Sequence, residues 1–341
     1  MKGTMKAAVM QAAGEVKVVE LPVPVCGPRD IIVKTVRSGI CGSDLTGFKI
    51  GPQYAGIAPG GEFGHETTGH ITEVGSEIKA FKVGMRVFVN SATANPKKFM
   101  AAMILGGFSE YIKVHDAKLD YNVFVLPDNM TYDEAALIEP YAVATRGKNV
   151  PGAKPGDNVV VYGVGSIGIF CIHSLCTQGI RPVAVVRSET KRALMEKIGA
   201  IVCNVNETDL IEFLGKTFGE TISRTGQPAI NVDIVVDCAA ATNVVDDFLK
   251  MKKHRSRLSI VGVGMEPIPV PLARIMSTEQ IIQGSCGYEL EDIQESIKNL
   301  AKKTLPVSEV ITHHYKLEQM PEAMVMAGDR TKAIKVIIDM E

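Results

Sequence analysis

Residues 159–169 read Val-Val-Val-Tyr-Gly-Val-Gly-Ser-Ile-Gly-Ile, an apolar run that leads into three spaced glycines and a helical pattern. Gly163 permits a tight turn, Gly165 lets backbone N–H groups approach a pyrophosphate, and Gly168 lets helix and strand pack closely. The N-terminus of the helix then faces the phosphate charge. The stretch therefore predicts a dinucleotide site at the start of a βαβ unit. Its predicted cofactor contacts are Gly163, Gly165, Ser166, Ile167 and Gly168.

The pattern around this turn predicts two domains. Runs that are apolar on both faces and alternate with helical segments are typical of a parallel sheet covered on both sides. These runs are Asn158–Tyr162, Pro182–Val186, Ile234–Val236 and Leu258–Val263. The first ~140 residues instead read as short strands broken by Gly and Pro, which favours an irregular all-β domain. The predicted fold class is α/β plus all-β, with a doubly wound Rossmann domain at 149–288 and a second domain from 1–148 and 289–341.

The end of the second Rossmann strand should select the cofactor. An acidic residue there would bind the ribose hydroxyls of NAD, but the chain reads Val185-Val-Arg-Ser-Glu-Thr-Lys-Arg192. Arg187 can pair with a 2′-phosphate, with Ser188 and Arg192 as further contacts, so NADP is favoured over NAD. In the alternative, Arg187 stacks on adenine and Glu189 reaches the ribose. Val261, in a later apolar run, is a further candidate cofactor contact.

A second motif predicts a metal site. Residues 64–78 contain Gly-His-Glu, and they lie between Cys41 and Glu139. A thiolate at Cys41, an imidazole at His65 and a carboxylate at Glu66 or Glu139 form the mixed set expected of catalytic zinc, whereas structural zinc more often has four Cys or only Cys and His. Such a metal keeps an open position where a substrate oxygen can be polarised.

Composition limits the function classes. The chain has 341 residues, 46% hydrophobic and 22% charged, with a formal net charge of −1. A near-neutral chain has no general attraction for nucleic acid or anionic membranes, and no apolar run approaches the ~18 residues of a membrane span. The start lacks the apolar core of a signal peptide. Seven scattered cysteines favour a reducing environment, so the expected location is cytoplasmic.

Together these motifs resemble the zinc-dependent medium-chain dehydrogenase/reductase family over essentially the whole chain. The resemblance rests on residues 64–78, Gly106–Tyr111, Glu139-Pro140, the glycine turn and Lys335-Val336. Gly39-Ile-Cys-Gly-Ser-Asp44 and the Glu-Pro pair look like the polyol branch, which includes sorbitol, threonine and galactitol-phosphate dehydrogenases. The resemblance implies a GroES-like catalytic domain beside the Rossmann domain, and a dimer or tetramer joined through coenzyme-domain sheet edges.

The resemblance also implies roles for single residues. Cys41, His65 and Glu66 would bind zinc, and Glu139 would be a fourth ligand or would hold the zinc-bound water. Ser43 would pass the alcohol proton, and Asp44 would orient the His65 imidazole or an adjacent backbone group.

Three departures from the family pattern stand out. Residues 88–107 contain no Cys, so the family's second, structural zinc should be absent; the apolar segment Pro96–Leu105 replaces its lobe. Thr46 stands where many relatives have a relay His, and Thr cannot titrate near neutrality. Tyr141 follows Glu139-Pro140 and could contact substrate or pack in the interior.

The expected function is hydride transfer between NAD(P) and a secondary alcohol, a polyol or related hydroxy metabolite, or its ketone. A reductase acting on less polar ketones is one alternative. Another is a nucleotide-binding relative without catalysis, and the complete ligand set argues against it. The same ligand set argues against a zinc-independent quinone or enoyl reductase.

Overall fold

The computed structural model describes residues 3–95, 105–264 and 266–341. The chain forms two compact units, one from Met1–Pro140 with Leu300–Glu341 and one from Tyr141–Asn299. The sequence-based boundaries near 148 and 288 fall at the end of one helix and just before another. The units instead divide within those two continuous helices, Ile138–Asn149 and Leu290–Ala301, because packing and not a break in the helix separates them.

The first part of the chain is rich in short strands. Its strands are β1 (Thr4–Ala12), β2 (Glu15–Pro22), β3 (Ile31–Gly39), β4 (Gly61–Glu62), β5 (Glu66–Val74), β6 (Arg86–Val89), β7 (Tyr111–Val114) and β8 (Val123–Val125). Its helices are α1 (Gly42–Ile50), α2 (Ser91–Ala94), α3 (Tyr132–Ala136) and α4 (Ile138–Asn149).

The middle of the chain alternates strands and helices. Its strands are β9 (Val159–Tyr162), β10 (Val183–Val186), β11 (Ile201–Asn204), β12 (Glu220–Ile222), β13 (Pro228–Ile230), β14 (Ile234–Asp237), β15 (Arg257–Ile260) and β16 (Ile281–Gly284). Its helices are α5 (Ser166–Thr177), α6 (Arg192–Ile198), α7 (Leu210–Phe218), α8 (Val244–Met251), α9 (Leu272–Thr278) and α10 (Leu290–Ala301). The chain then returns to the first unit with α11 (Val307–Val310), β17 (Ile311–Lys316), α12 (Met320–Gly328) and β18 (Lys335–Asp339).

The sheet of the second unit confirms the predicted parallel architecture. Its strand order is β11-β10-β9-β14-β15-β16, and every neighbouring pair is parallel. β9, β10 and β14 are buried along their whole length, because helices cover both faces of a doubly wound sheet. This order is that of a Rossmann domain, in which the first strand, here β9, leads into the phosphate-binding turn.

The first unit contains a seven-stranded sheet in the order β17-β18-β3-β5-β6-β8, with β7 also paired to β3, and a three-stranded sheet β2-β1-β4. Its apolar residues form two buried clusters, one around Phe63 and Phe108 and one around Ile31 and Val87. β3 lies between β18 and β5, and its C-terminal end therefore brings together residues from three distant parts of the sequence. No helix in the described ranges has both the length and the apolar character that a membrane span requires.

Candidate active site

The predicted metal ligands meet where β3 ends and β5 begins. Gly39, the last residue of β3, pairs with Glu66, the first residue of β5. Cys41 follows two residues later as the N-cap of α1, and His65 immediately precedes β5. One ligand atom from each of Cys41, His65 and Glu66 lies within 4.8 Å of the others. Among the described residues, no other group of three His, Cys, Asp or Glu side chains meets this distance.

The polar atoms of this cluster are buried and incompletely paired. His65 is 3% exposed and Glu66 is 1% exposed. His65 Nδ1 and Glu66 Oε1 have no hydrogen-bond partner, while Glu66 Oε2 forms an ion pair with Lys335. A buried polar atom without a partner costs about 1–3 kcal/mol. An unpaired ring nitrogen and an unpaired carboxylate oxygen that converge with a thiol sulfur fit a zinc ion.

The titration behaviour of the cluster also fits a missing cation. Burial, with the nearby Glu66, raises the pKa of the Cys41 thiol to about 12. Burial likewise raises the pKa of Glu139 to about 8, although His65 acts in the opposite direction. Burial lowers the pKa of His65, but Asp44, Glu139 and Glu66 outweigh it and the net pKa is raised. Lys335 lowers the pKa of Cys41 and Glu139 but does not offset burial, and a dication would further favour their ionised forms.

Asp44 and Ser43 lie in the first turn of α1, directly after Cys41. Asp44 Oδ2 accepts a hydrogen bond of 2.9 Å from the Cys41 backbone N–H, and its Oδ1 lies 3.8 Å from His65 Nδ1. Asp44 therefore fixes the backbone that carries one ligand and stands beside the imidazole of another. The buried Ser43 hydroxyl has no hydrogen-bond partner, and it lowers the pKa of the Cys41 thiol against the larger effect of burial, so it lies next to the candidate metal position.

Glu139 and the residues of the three departures from the family pattern have different surroundings. Glu139 is 6% exposed in the first turn of α4, and it raises the pKa of His65 while Cys41 raises its own pKa, without joining their close group. Tyr141 is fully buried, and its hydroxyl lies 2.7 Å from His173 Nδ1, so it packs in the interior. Thr46 is exposed and donates to the Gly42 carbonyl. Of Pro96–Leu105, all but Leu105 lies outside the described residues.

The glycine turn has the local geometry that dinucleotide binding requires. Gly163 has φ +89°, a conformation that L side chains rarely adopt. A Cβ on Gly165 would meet no atom within 4 Å, so the space over the turn is open. A Cβ on Gly168 would overlap the carbonyl oxygen of Gly163. α5 starts here without a side-chain cap. No capping side chain therefore accepts hydrogen bonds from the backbone N–H groups of Ser166 and Ile167 in its first turn.

The end of β10 carries the residues expected to select the cofactor. Arg187 is exposed and donates weakly, at 3.4 Å, to Asn243. Arg192 is engaged with Glu189, at 3.0 Å for one of its nitrogens, and Asn204 also donates to Glu189. Ser188 is exposed at the same strand end. Val261 follows β15, and its N–H donates to the carbonyl of Asp237 on β14.

Sequence reasoning missed one functional contact, that of Lys335. Its side chain is 3% exposed, and it pairs with Glu66 and donates to the Ile40 carbonyl at 3.0 Å. The available signal was a single Lys within the apolar run Ala333–Ile338, since a charge in a buried strand is almost always paired. Its partner could not be read from the sequence, because the register of β18 against β3 decides it.

Comparison with known proteins agrees with these features. Residues 27–128 match the alcohol dehydrogenase GroES-like domain and residues 166–302 match the zinc-binding dehydrogenase domain. The chain is 30% identical to sorbitol dehydrogenase of Bacillus subtilis, and the alignment covers 98% of this chain and 97% of the relative. The chain belongs to the zinc-type medium-chain dehydrogenase/reductase family. It lies in the polyol dehydrogenase branch and is an enzyme of alcohol–ketone oxidoreduction.

Solved structures share the fold. An alcohol dehydrogenase from Escherichia coli CFT073, complexed with NADH, has a TM-score of 0.83 at 22% identity, with 99% of both chains covered. A zinc-binding dehydrogenase from Sinorhizobium meliloti 1021, bound to NADP, has a TM-score of 0.81 at 23% identity, with 99% of this chain and 100% of the other covered. At these identities the likeness shows the fold, and both forms of the cofactor occur on it.

Proposed function

We propose that the protein interconverts a polyol, or a related secondary alcohol, and its ketone, using NADP and one zinc ion held by Cys41, His65 and Glu66. The observation that carries the proposal is the convergence of these three donors, of which His65 and Glu66 are buried and have unpaired atoms. When bound beside these residues, zinc would supply a Lewis acid for a substrate oxygen, and a nicotinamide would supply or accept the hydride.

The residues of this chain have separate tasks in that reaction. Asp44 fixes the Cys41 backbone and flanks the His65 ring, so both ligands are held in place. Glu139 is a second buried carboxyl group near this cluster, and we assign it to holding the water at the metal position or to serving as a further ligand. Ser43 is the hydroxyl beside Cys41 that we assign to passing the alcohol proton. Thr46 is exposed and bonded within its own helix, so we give it no part in proton transfer.

The proposal is tested by removing and restoring the metal. Protein dialysed against a chelator should lose turnover of sorbitol, xylitol and 2,3-butanediol, and stoichiometric zinc should restore it. Cyclohexanol serves as a less polar secondary alcohol, and we expect the polyols to be preferred. Full turnover by protein with no detectable zinc would refute the metal assignment, and a clear preference for cyclohexanol would refute the polyol assignment.

The NADP preference rests on Arg187. Its guanidinium is exposed at the end of β10 and donates weakly to Asn243, while the nearby Glu189 is engaged by Arg192 and Asn204, as suits a partner for a 2′-phosphate. We expect Arg187→Ala to lower kcat/KM for NADP roughly 10- to 100-fold, as for loss of a charge-assisted hydrogen bond, with little effect for NAD. Arg181→Ala, which changes an exposed arginine before the same strand, is the control. Equal losses for both cofactors would contradict the assignment, and so would a wild-type preference for NAD.

Self-association is supported by the edge of the Rossmann sheet. β16 is an edge strand, and around it lie exposed apolar side chains: Val263 89%, Val270 37%, Leu272 74%, Met276 74% and Ile281 46%. An apolar edge strand is a template for pairing with a second chain. We propose a dimer, or a tetramer built on it, joined here. Sedimentation should show Ile281→Lys dissociating into monomers while Ile222→Lys, at another exposed position, remains associated. A monomeric wild type would contradict this.

The cysteines support a cytoplasmic location. All seven are free thiols, and scattered free thiols persist in reducing compartments. Mass spectrometry of protein isolated under alkylating, denaturing conditions should find all seven cysteines alkylated. Disulfides in that material would contradict the assignment.

A further inference from the structure

The contact between Lys335 and Glu66 bridges across a strand. β3 lies between β5, which carries Glu66, and β18, which carries Lys335. The two side chains meet over Gly39, and this is possible because Gly39 has no side chain. A Cβ at Gly39 would overlap Glu66 Oε2 and lie 2.8 Å from Lys335 Cε. Because Gly39 has no side chain, it leaves room for the buried ion pair between Glu66 and Lys335.

The two carboxylate oxygens of Glu66 have different surroundings, because only Oε2 contacts Lys335. Oε2 is paired with the ammonium group, which is also anchored to the Ile40 carbonyl at 3.0 Å. Neither oxygen has a regular hydrogen bond, so the ion pair alone distinguishes Oε2 from the buried, unpartnered Oε1. Both side chains are at most 3% exposed, so solvent does not compete for either oxygen. A free carboxylate can bind a metal through both oxygens, but this carboxylate has only one available.

We propose that Lys335 is a positioning residue that limits Glu66 to one zinc-binding oxygen and so keeps a coordination position open for substrate. Catalytic zinc needs that position, because three protein ligands leave the fourth for substrate or water. This inference rests on the proposed zinc site. If Glu66 regained both oxygens, it would occupy the position that the substrate oxygen requires.

Cobalt substitution reads out the coordination directly, because the visible absorption of Co²⁺ weakens when a four-coordinate site gains a fifth ligand. The wild type with cobalt should show intense bands, and Lys335→Met should show weaker ones while still binding one metal ion. Lys148→Met is the matched control, since Lys148 is fully buried and paired with Glu295 at 2.9 Å in the other unit. Its cobalt spectrum should equal that of the wild type.

Gly39→Ala tests the same contact without removing a charge, because the added methyl group separates Glu66 from Lys335. Its cobalt bands should weaken in the same direction. A folded Lys335→Met or Gly39→Ala protein with a wild-type spectrum overturns the inference. Should neither variant fold, zinc-edge X-ray absorption of the wild type decides: four ligands support the inference and five overturn it. A wild type that binds no metal would instead refute the proposed function itself.

Discussion

The two binding regions of this protein are built in opposite ways. The metal cluster consists of side chains that are buried with atoms left unpaired, such as His65 Nδ1 and Glu66 Oε1. The glycine turn consists of backbone, and its chemistry depends on side chains that are absent at Gly163, Gly165 and Gly168. The first kind of site is costly to fold without its ligand. The glycine turn costs little folding free energy without its ligand, unless a side chain is added to one of the glycines.

The largest effect should come from breaking the metal cluster. Cys41→Ala removes the sulfur ligand, so zinc should be lost and kcat/KM should fall at least about a thousandfold, since Lewis-acid stabilisation supplies several kcal/mol. Cofactor binding, measured by quenching of NADPH fluorescence or by calorimetry, should persist because the glycine turn lies in the other unit. Retention of zinc and activity would remove Cys41 from the site.

The glycine turn can be broken in two distinguishable ways. Gly168→Ala places a methyl group against the Gly163 carbonyl, so both folding stability and cofactor binding should suffer. Gly165→Ala points into open space, so thermal stability should stay near wild type. Its cofactor affinity should still fall, because the methyl group occupies the space of the pyrophosphate; we expect roughly tenfold, about 1.4 kcal/mol. Equal stability of the two variants would contradict this account.

A smaller effect should appear in how the free energy of unfolding depends on pH, because Glu139 beside the metal cluster has a raised pKa. In metal-free protein the pKa of Glu139 is raised from 4.5 to about 8. Below pH 4.5 its carboxyl group is protonated in both the folded and unfolded states, so it does not reduce stability. As pH rises towards 8 the unfolded chain ionises first, and the free energy of unfolding should fall over this window. Glu139→Gln should flatten the profile, as measured by urea titration between pH 5 and 9.

Glu134 provides a control of opposite sign. Although burial opposes it, hydrogen bonds from Lys303 and Thr131 lower the pKa of Glu134 below 4.5. Its stabilisation is present above pH 4.5 and is lost as pH falls further, so Glu134→Gln should leave the alkaline side of the profile unchanged. If Glu139→Gln and Glu134→Gln changed the free energy of unfolding over the same pH range, the opposite pKa shifts assigned to the two carboxyl groups would be wrong.

The same contrast explains how much the sequence could predict. The glycine turn is a local motif of eleven residues, and its strand, turn and helix all lie where the pattern indicated. The residue types of Cys41, His65 and Glu66 predicted a metal site because few other chemistries use that mixture, and the structure brings the three together. Lys335 was beyond prediction, since its partner is set by the pairing of β18, β3 and β5.

The domain boundaries show the same limit. Composition changes near Gly152, after α4 has ended, but the first turn of α4 belongs with the metal cluster and the rest of the helix with the Rossmann unit. A helix that continues through a boundary leaves no Gly or Pro signal at the dividing residue. Only tertiary packing reveals where the division lies.

The unpaired donors at the end of β3 also tie the lifetime of the protein to metal supply. An ion that binds the native chain and not the unfolded one adds stability that grows with the logarithm of its free concentration. Each tenfold rise in free zinc above the dissociation constant should therefore add about 1.4 kcal/mol to the resistance against unfolding. In zinc-starved cells the newly made chain would be the form that proteases remove first.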